Sequence, residues 1–299
     1  MILKLTPSLK NYIWGGTNLK TKWGKTSDQP KLAESWEVSV NVGGMCHVCG
    51  GAYDSKPLAD VLTPADLGAN CKNFPFFPLL VKLIDAATPL SLQVHPTDAY
   101  ALEHEGKYGK TEMWHVLDAT EDAYIYLGFN RNVTKTEFLD ALANKTLCNL
   151  LNKVPVKPNQ TYFVPSGTIH AIGAGVTLIE IQQNSDLTYR VYDYDRVGAD
   201  GKPRELHVEK ALDVLNFDRY DVPNPNRAEL LGKCEYFAAY RYKGCKTLTL
   251  PNSFATITAL DCELTVNGET LRRGATLFAS AATTLDIRGN GTYCLVCVE

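Results

Sequence analysis

The stretch "PLSLQVHPTDAYALEHEGKYGKTEMWHVL", residues 89–117, decides how the chain is read. Residues two apart on a β-strand share a face, so Gln93 and His95 project together while Val94 packs the other way. One strand thus offers two ligand-type side chains. "PTDAYALEHE" (96–105) opens with Pro and Asp in the manner of a helix start. "GKTEMWHVL" then enters another apolar strand that carries Glu112, with Lys110 two residues earlier on the same face. Further along, "YFVPSGTIHAIGAG" (162–175) supplies His170 at the end of a strand-turn-strand, with Gly167 and Gly173 permitting tight turns. Two histidines and a carboxylate from separate strands form a ligand set for Zn, Fe, Mn or Co, to which Gln93 adds a weaker carbonyl oxygen. On spacing alone this set competes with a plainer reading, two hydrogen-bonded core histidines and a solvated glutamate.

The chain has 299 residues, 45% of them hydrophobic, enough for a substantial core and a length that suggests two domains. A net charge of -3 and a pI near 6.1 give no basic field for nucleic acid, which is not expected as a partner. No run reaches the roughly 18 apolar residues of a membrane helix, and no cleavable signal pattern opens the sequence, so it reads as cytoplasmic with no membrane partner. The nine cysteines are an odd count and read as reduced thiols. In "MCHVCGG" and "YCLVCVE", the pairs Cys46/Cys49 and Cys294/Cys297 sit in β-like sequence, where a spacing of three throws them to opposite faces; a zinc ribbon is not expected.

Short β-branched or aromatic segments punctuated by Gly, Pro and Asn dominate, among them "SWEVSVNV", "VTLIEIQQ", "FATITAL" and "CELTVNG", as in a sandwich or barrel. Residues 134–154, "TKTEFLDALANKTLCNLLNKV", form the second helical signal after a Thr cap, a helix inserted in a β framework. "NFDRYDVPNPNRAELL" (216–231) reads as a linker. The expected domains are therefore residues 1–220 and a smaller all-β unit, 221–299.

"YIWGGTNL", "ESWEVS", "LSLQVHP", "GKTEMW" and "VPSGTIHAIGAGVTLIEIQQNSDLTYRVYDYDR" occur in order, and on them the chain resembles the type I mannose-6-phosphate isomerases of short bacterial form. The resemblance spans about residues 7–216. It implies a mainly β fold, a cupin-type β-barrel (jelly roll) with a small helical insertion and a smaller C-terminal β domain. It also implies one zinc ion and interconversion of mannose 6-phosphate and fructose 6-phosphate, with Gln93, His95, Glu112 and His170 as metal ligands.

Moving a carbonyl from C1 to C2 of a sugar stores negative charge in an enediolate, which a Lewis-acid metal and fixed cations stabilise. Arg190 matches the family's arginine beside the substrate; its structural alternative is an ion pair with Asp186, Asp193 or Asp195. Lys110 is a candidate for phosphate contact or proton transfer, and Ser91, on the face of Gln93 and His95, for substrate phosphate. Longer family members read H-K-P-E where this chain has "GKTE", so Gly109 stands in place of a histidine, and S-D-N-x-x-R where it has "SDLTYR", with Leu187 for Asn. The general base stays open between Asp186, Lys110 and metal-bound water. Trp14 and Trp36 read as core packing, His115 and His207 as structural. Two other classes remain: a non-catalytic sugar-phosphate sensor on the same scaffold, and a non-haem iron oxygenase with the same ligand types. Oligomeric state is not readable from the sequence.

Overall fold

The computed structural model describes residues 1–198 and 201–299, and within them the chain is mostly β. Two antiparallel sheets make the expected jelly-roll core. The six-stranded sheet runs Thr161–Val164, Glu112–Ala119, Val176–Gln183, Leu79–Ala86, Glu34–Val38, Ser8–Lys10. The five-stranded sheet runs Tyr189–Tyr192, Leu92–Val94, His170–Ile172, Tyr124–Phe129, Leu151–Pro155. Trp114, Leu178 and Ile84 of the first sheet pack with Ile125, Leu127 and Ile172 of the second in one buried cluster.

Period-2 alternation sorts every central strand between two environments. In Leu79–Ala86, Leu79, Val81 and Leu83 face outward to a second cluster, and Ile84 faces the barrel interior. In Val176–Gln183, Ile179 and Ile181 face outward with them. Both strands are buried on both faces, which is why they read as near-continuous apolar runs. What covers the outer face is a seven-stranded sheet, Phe237, Phe254, Phe278 and Val296 contributing to the shared cluster. A four-stranded sheet closes that layer from beyond, over a core that includes Ile257, Leu277, Tyr293 and Ile287. The seven-stranded sheet also takes in Ile2–Thr6 and His47–Cys49, so strands from the start of the chain lie among those of residues 230–297.

The outer face of the five-stranded sheet is covered by helices Lys135–Ala143 and Val208–Val214, with Phe138 and Ala211 buried against Leu92, Val94 and Val191. The Thr134 hydroxyl caps the first helix by accepting from the Glu137 amide, and the Glu137 carboxylate answers to Thr134 in a capping box. This helix is shorter than the sequence pattern suggested. It stops at Ala143; a 3₁₀ turn, Leu147–Leu150, and strand Leu151–Pro155 follow, because Lys145 takes a positive φ of 58° and the edge of the five-stranded sheet claims the next residues. The expected helix in 96–105 is present as Asp98–Glu105, capped by Thr97 and closed by left-handed Gly106.

Gly109 shows why this chain lacks a side chain there. A Cβ would come within 2.4–2.5 Å of the Pro96–Asp98 backbone, where the helix starts. Gly109→Ala should therefore cost about 1–3 kcal/mol through overpacking against atoms that cannot rotate away, read as a lower urea midpoint with unchanged m.

Candidate active site

Gln93, His95, Glu112 and His170 point into the space between the two barrel sheets because of strand alternation. Leu92 and Val94 enter the outer cluster, which leaves Gln93 and its neighbours Ser91 and His95 on the inner face. Glu112 opens its strand one residue before outward Met113. His170 lies directly across from Gln93 in the ladder, and Arg190 pairs with Gln93 from the other side. The turn before His170 is fastened to the first ligand strand, since Gly167, at a φ of 82°, donates its amide to the His95 carbonyl at 2.8 Å. The Gly173 requirement has a different cause from the turn expected there: its Cβ would meet the Tyr124 carbonyl at 2.4 Å.

His95 Nδ1 donates to the Leu187 carbonyl and His170 Nδ1 to the Thr168 carbonyl, each at 2.8 Å. With Nδ1 protonated, neutral imidazole presents a lone pair at Nε2. These two Nε2 atoms face each other at 3.1 Å, and Glu112 oxygens lie 3.5 Å from His95 Nε2 and 3.3 Å from His170 Nε2. All three side chains are essentially fully buried. Burial, reinforced by the Lys110 charge, lowers His95 to about 3, and burial lowers His170 as well, so both rings are neutral. Burial pushes the Glu112 carboxyl up, but Lys110 at 2.7 Å together with His95 and His170 more than offsets it and holds the group well below the usual carboxylate range. Neither Glu112 oxygen accepts a hydrogen bond in good geometry. Lys110 Nζ, 3.1 Å from His95 Nε2 as well as 2.7 Å from Glu112, meets part of this demand; the opposed lone pairs and the under-satisfied carboxylate that remain are what a divalent cation would satisfy, and the two-nitrogen, one-oxygen donor set suits zinc. This is also the one such grouping of metal-ligating types among the described residues. The Gln93 amide sits 3.4 Å from His170 Nε2, so its oxygen reaches the same point when the amide is turned over.

A cleft of about 380 Å³ opens above the cluster, and Ser91, Gln93, Lys110, Asp186 and Arg190 all line it. A larger cavity, about 950 Å³, is apolar and is lined by none of these residues. The smaller cleft holds the chemistry. Arg190 Nε donates to Ser91 Oγ at 3.2 Å and Nη1 to the Glu205 carbonyl at 2.9 Å. The carboxylates proposed as its structural partners are engaged elsewhere: Asp193 with Arg196 and Arg204, Asp195 with Lys145, Asp186 with Lys107.

Sequence reasoning missed a row of charges across the six-stranded sheet. Trp36 pairs with Lys82, Lys82 with Glu180, and Glu180 with Trp114. Lys82 Nζ lies 3.1 Å from Glu180 and 3.7 Å from Glu34, and stands 5.1 Å from the Trp36 ring centroid. Burial would lower Lys82, but Glu180 and Glu34 more than offset it, so it stays charged. Burial and the neighbouring Glu112 charge raise the Glu180 carboxyl. The available signal was a charge in the middle of each apolar run, Lys82 in "LLVKLIDA" and Glu180 in "VTLIEIQQ". Trp14 and Trp36 are buried as expected, and both also form the cleft wall, with Trp36 Nε1 donating to Glu34. His115 is a buried partner of Thr161, and His207 accepts from the Arg190 amide. All nine cysteines are free; Cys294 and Cys297 fall in different clusters on opposite faces of their sheet.

Residues 2–124 match the family model for the phosphomannose isomerase type I catalytic domain. The chain is 39% identical to the mannose-6-phosphate isomerase of Streptococcus mutans over 81% of its own length and 78% of that protein's. It is 38% identical to the mannose-6-phosphate isomerase ManA of Bacillus subtilis over 86% and 84%. A crystal structure of the mannose 6-phosphate isomerase from Bacillus subtilis superposes with a TM-score of 0.88 at 34% identity, covering 99% of both chains. A zinc-bound mannose 6-phosphate isomerase shares the fold, with a TM-score of 0.78 at 18% identity over 100% of this chain and 99% of that one.

The geometry generates a graded expectation. His170→Ala should bring metal content close to zero, and Gln93→Ala should leave the metal bound but weaker, because a neutral amide oxygen is the poorer donor. Metal analysis after dialysis against a graded chelator series separates the two; a fully loaded His170→Ala protein would remove the assignment.

Proposed function

The chain belongs to the type I phosphomannose isomerase family, and from that premise we propose how its own residues perform the interconversion of mannose 6-phosphate and fructose 6-phosphate. The reading is carried by the two neutral histidines whose Nε2 atoms face each other beside ionised Glu112 at the floor of a sugar-sized cleft. His95, Glu112 and His170, with Gln93 as the weaker fourth, would hold one zinc ion, which would supply Lewis-acid polarisation of the substrate's oxygens.

Arg190 stands across the ladder from Gln93, so its guanidinium flanks the position where enediolate charge develops. Ser91 and the Glu205 carbonyl hold that fork in one orientation, and the His207 main-chain contacts fix the strand beneath it. Arg204, anchored on Asp193 through two hydrogen bonds, lines the same cleft and with Ser91 makes the end that receives the phosphate. Of the carboxylates lining the cleft, Glu180 is suited to carry the proton between C1 and C2: burial and the Glu112 charge raise its carboxyl above the ordinary value, and its Oε1, 3.1 Å from Lys82 Nζ, has no hydrogen bond of good geometry. Lys110 stays on Glu112 and steadies the ligand's charge, whereas Asp186, tethered by Lys107 at 2.8 Å, orients the substrate from the rim. A sensor would have no use for a poised carboxylate and a guanidinium with no carboxylate partner among the described residues, and the family favours the enzyme.

We assign residues 1–220 to catalysis and 221–299 to a supporting β unit that borrows Ile2–Thr6 and His47–Cys49 as strands. None of the described helices is long and apolar enough to cross a membrane. The absence of any disulfide among nine cysteines supports a reducing, cytoplasmic location.

Arg190→Ala should reduce kcat by a factor on the order of 100 while zinc content and Tm hold, and Arg190→Lys should recover little, having lost the planar fork. Loss of Tm with kcat retained would make Arg190 structural instead. Glu180→Gln should likewise keep metal and lose turnover by roughly 100-fold or more, together with exchange of the substrate C2 proton with solvent followed by NMR; exchange at the wild-type rate would transfer the proton step to another group.

A further inference from the structure

The 950 Å³ cavity lies beside the catalytic cleft, against segments Leu58–Val61, Pro64–Leu67 and the Phe74–Phe77 loop. Its walls are apolar, with Leu62, Leu67, Phe74 and Phe76 prominent, and Phe76 is left 50% exposed at the rim. Large exposed aromatic surface around a concavity is what ligand sites present. Among the described residues, the charged ones lining it are Lys72 and Lys107, and none is a carboxylate. Lys72 has no ion-pair partner among the described residues, and Lys107 is paired only with Asp186.

The cavity wall is continuous with the active site. Tyr108 Oη both donates to the Phe76 carbonyl and accepts from its amide, at 3.0 Å each. The Tyr108 carbonyl accepts from Ser185 Oγ at 2.8 Å, one residue before Asp186.

We propose that this cavity binds a small amphipathic organic anion, its aromatic or alkyl body against Leu62, Leu67, Phe74 and Phe76 and its single charged head on Lys72 and Lys107. Lys72, which has no ion-pair partner among the described residues, and Lys107, whose one carboxylate partner lies outside the lining, select the charge, and the apolar walls select the body. A head group on Lys107 competes with Asp186 and loosens the tether at the catalytic rim; this consequence rests on the isomerase reading, whereas the binding does not.

The test uses the metal-loaded full chain and the fluorescent probe 8-anilinonaphthalene-1-sulfonate. We expect saturable binding of one probe per chain, displaced by decanoate and still saturable, with no competitive displacement, at saturating mannose 6-phosphate. Phe76→Ala and Lys72→Glu should each weaken the probe by roughly tenfold or more, Lys72→Glu by reversing the charge that attracts the head. Both positions are exposed, and a melt recorded on each variant confirms folding. The uncharged analogue N-phenyl-1-naphthylamine should bind at least tenfold more weakly. Absence of saturable binding, displacement by mannose 6-phosphate, unchanged affinity in either variant, or equal affinity for the uncharged analogue overturns the proposal. Because fluorescence reads the cavity without turnover, failure here is distinguishable from failure of the isomerase assignment.

Discussion

Two imidazole lone pairs aimed at each other across 3.1 Å, beside a buried ionised carboxylate, form the constraint on which the interior is organised. Neither ring can relieve the opposition by taking a second proton, because burial disfavours imidazolium at both. Neither can turn away, because each Nδ1 is spent on a backbone carbonyl. A cation resolves the arrangement, and an apolar core would not produce it.

Everything around that point serves to hold three separate strands at one depth. The six-stranded sheet is sandwiched between the barrel interior and the seven-stranded sheet, so its central strands cannot shift register without moving Leu79, Val81, Ile179 and Ile181 out of their cluster. The same constraint fixes the row Trp36, Lys82, Glu180 and Trp114 at the edge of the cleft. That row places two buried charges where neither is isolated: Lys82 lies between Glu34 and Glu180, and Glu180 has Lys82 on one side and Trp114 Nε1 on the other. The outer helices do the corresponding work for the five-stranded sheet, burying Leu92 and Val94 and so turning Gln93 and His95 inward.

The gathering of His95, Glu112 and His170 was legible in part because strand alternation is strict, and the spacing in "LQVH" carries over directly into a shared face. Family resemblance supplied what alternation could not, namely which of several strands meet. The row of Lys82 and Glu180 was overlooked because a charge inside a doubly buried strand looks like noise until the opposing strand is known, and register is a property of two segments. The overlong helix in 134–154 shows the converse failure: Leu and Ala at helical spacing persist past Ala143, but sheet pairing with Tyr124–Phe129 captures Leu151–Pro155. Substitutions that set this chain apart from longer relatives have local reasons. Gly109 has no room for a side chain, and Leu187 contributes its backbone carbonyl, not its side chain, to the hydrogen bond with His95.

Zinc K-edge X-ray absorption on protein purified without added metal tests the central claim most directly. The account predicts a first shell of nitrogen and oxygen only, at about 2.0–2.1 Å, with outer-shell scattering from two imidazoles. A sulfur shell near about 2.3 Å, or the absence of imidazole scattering, would contradict it.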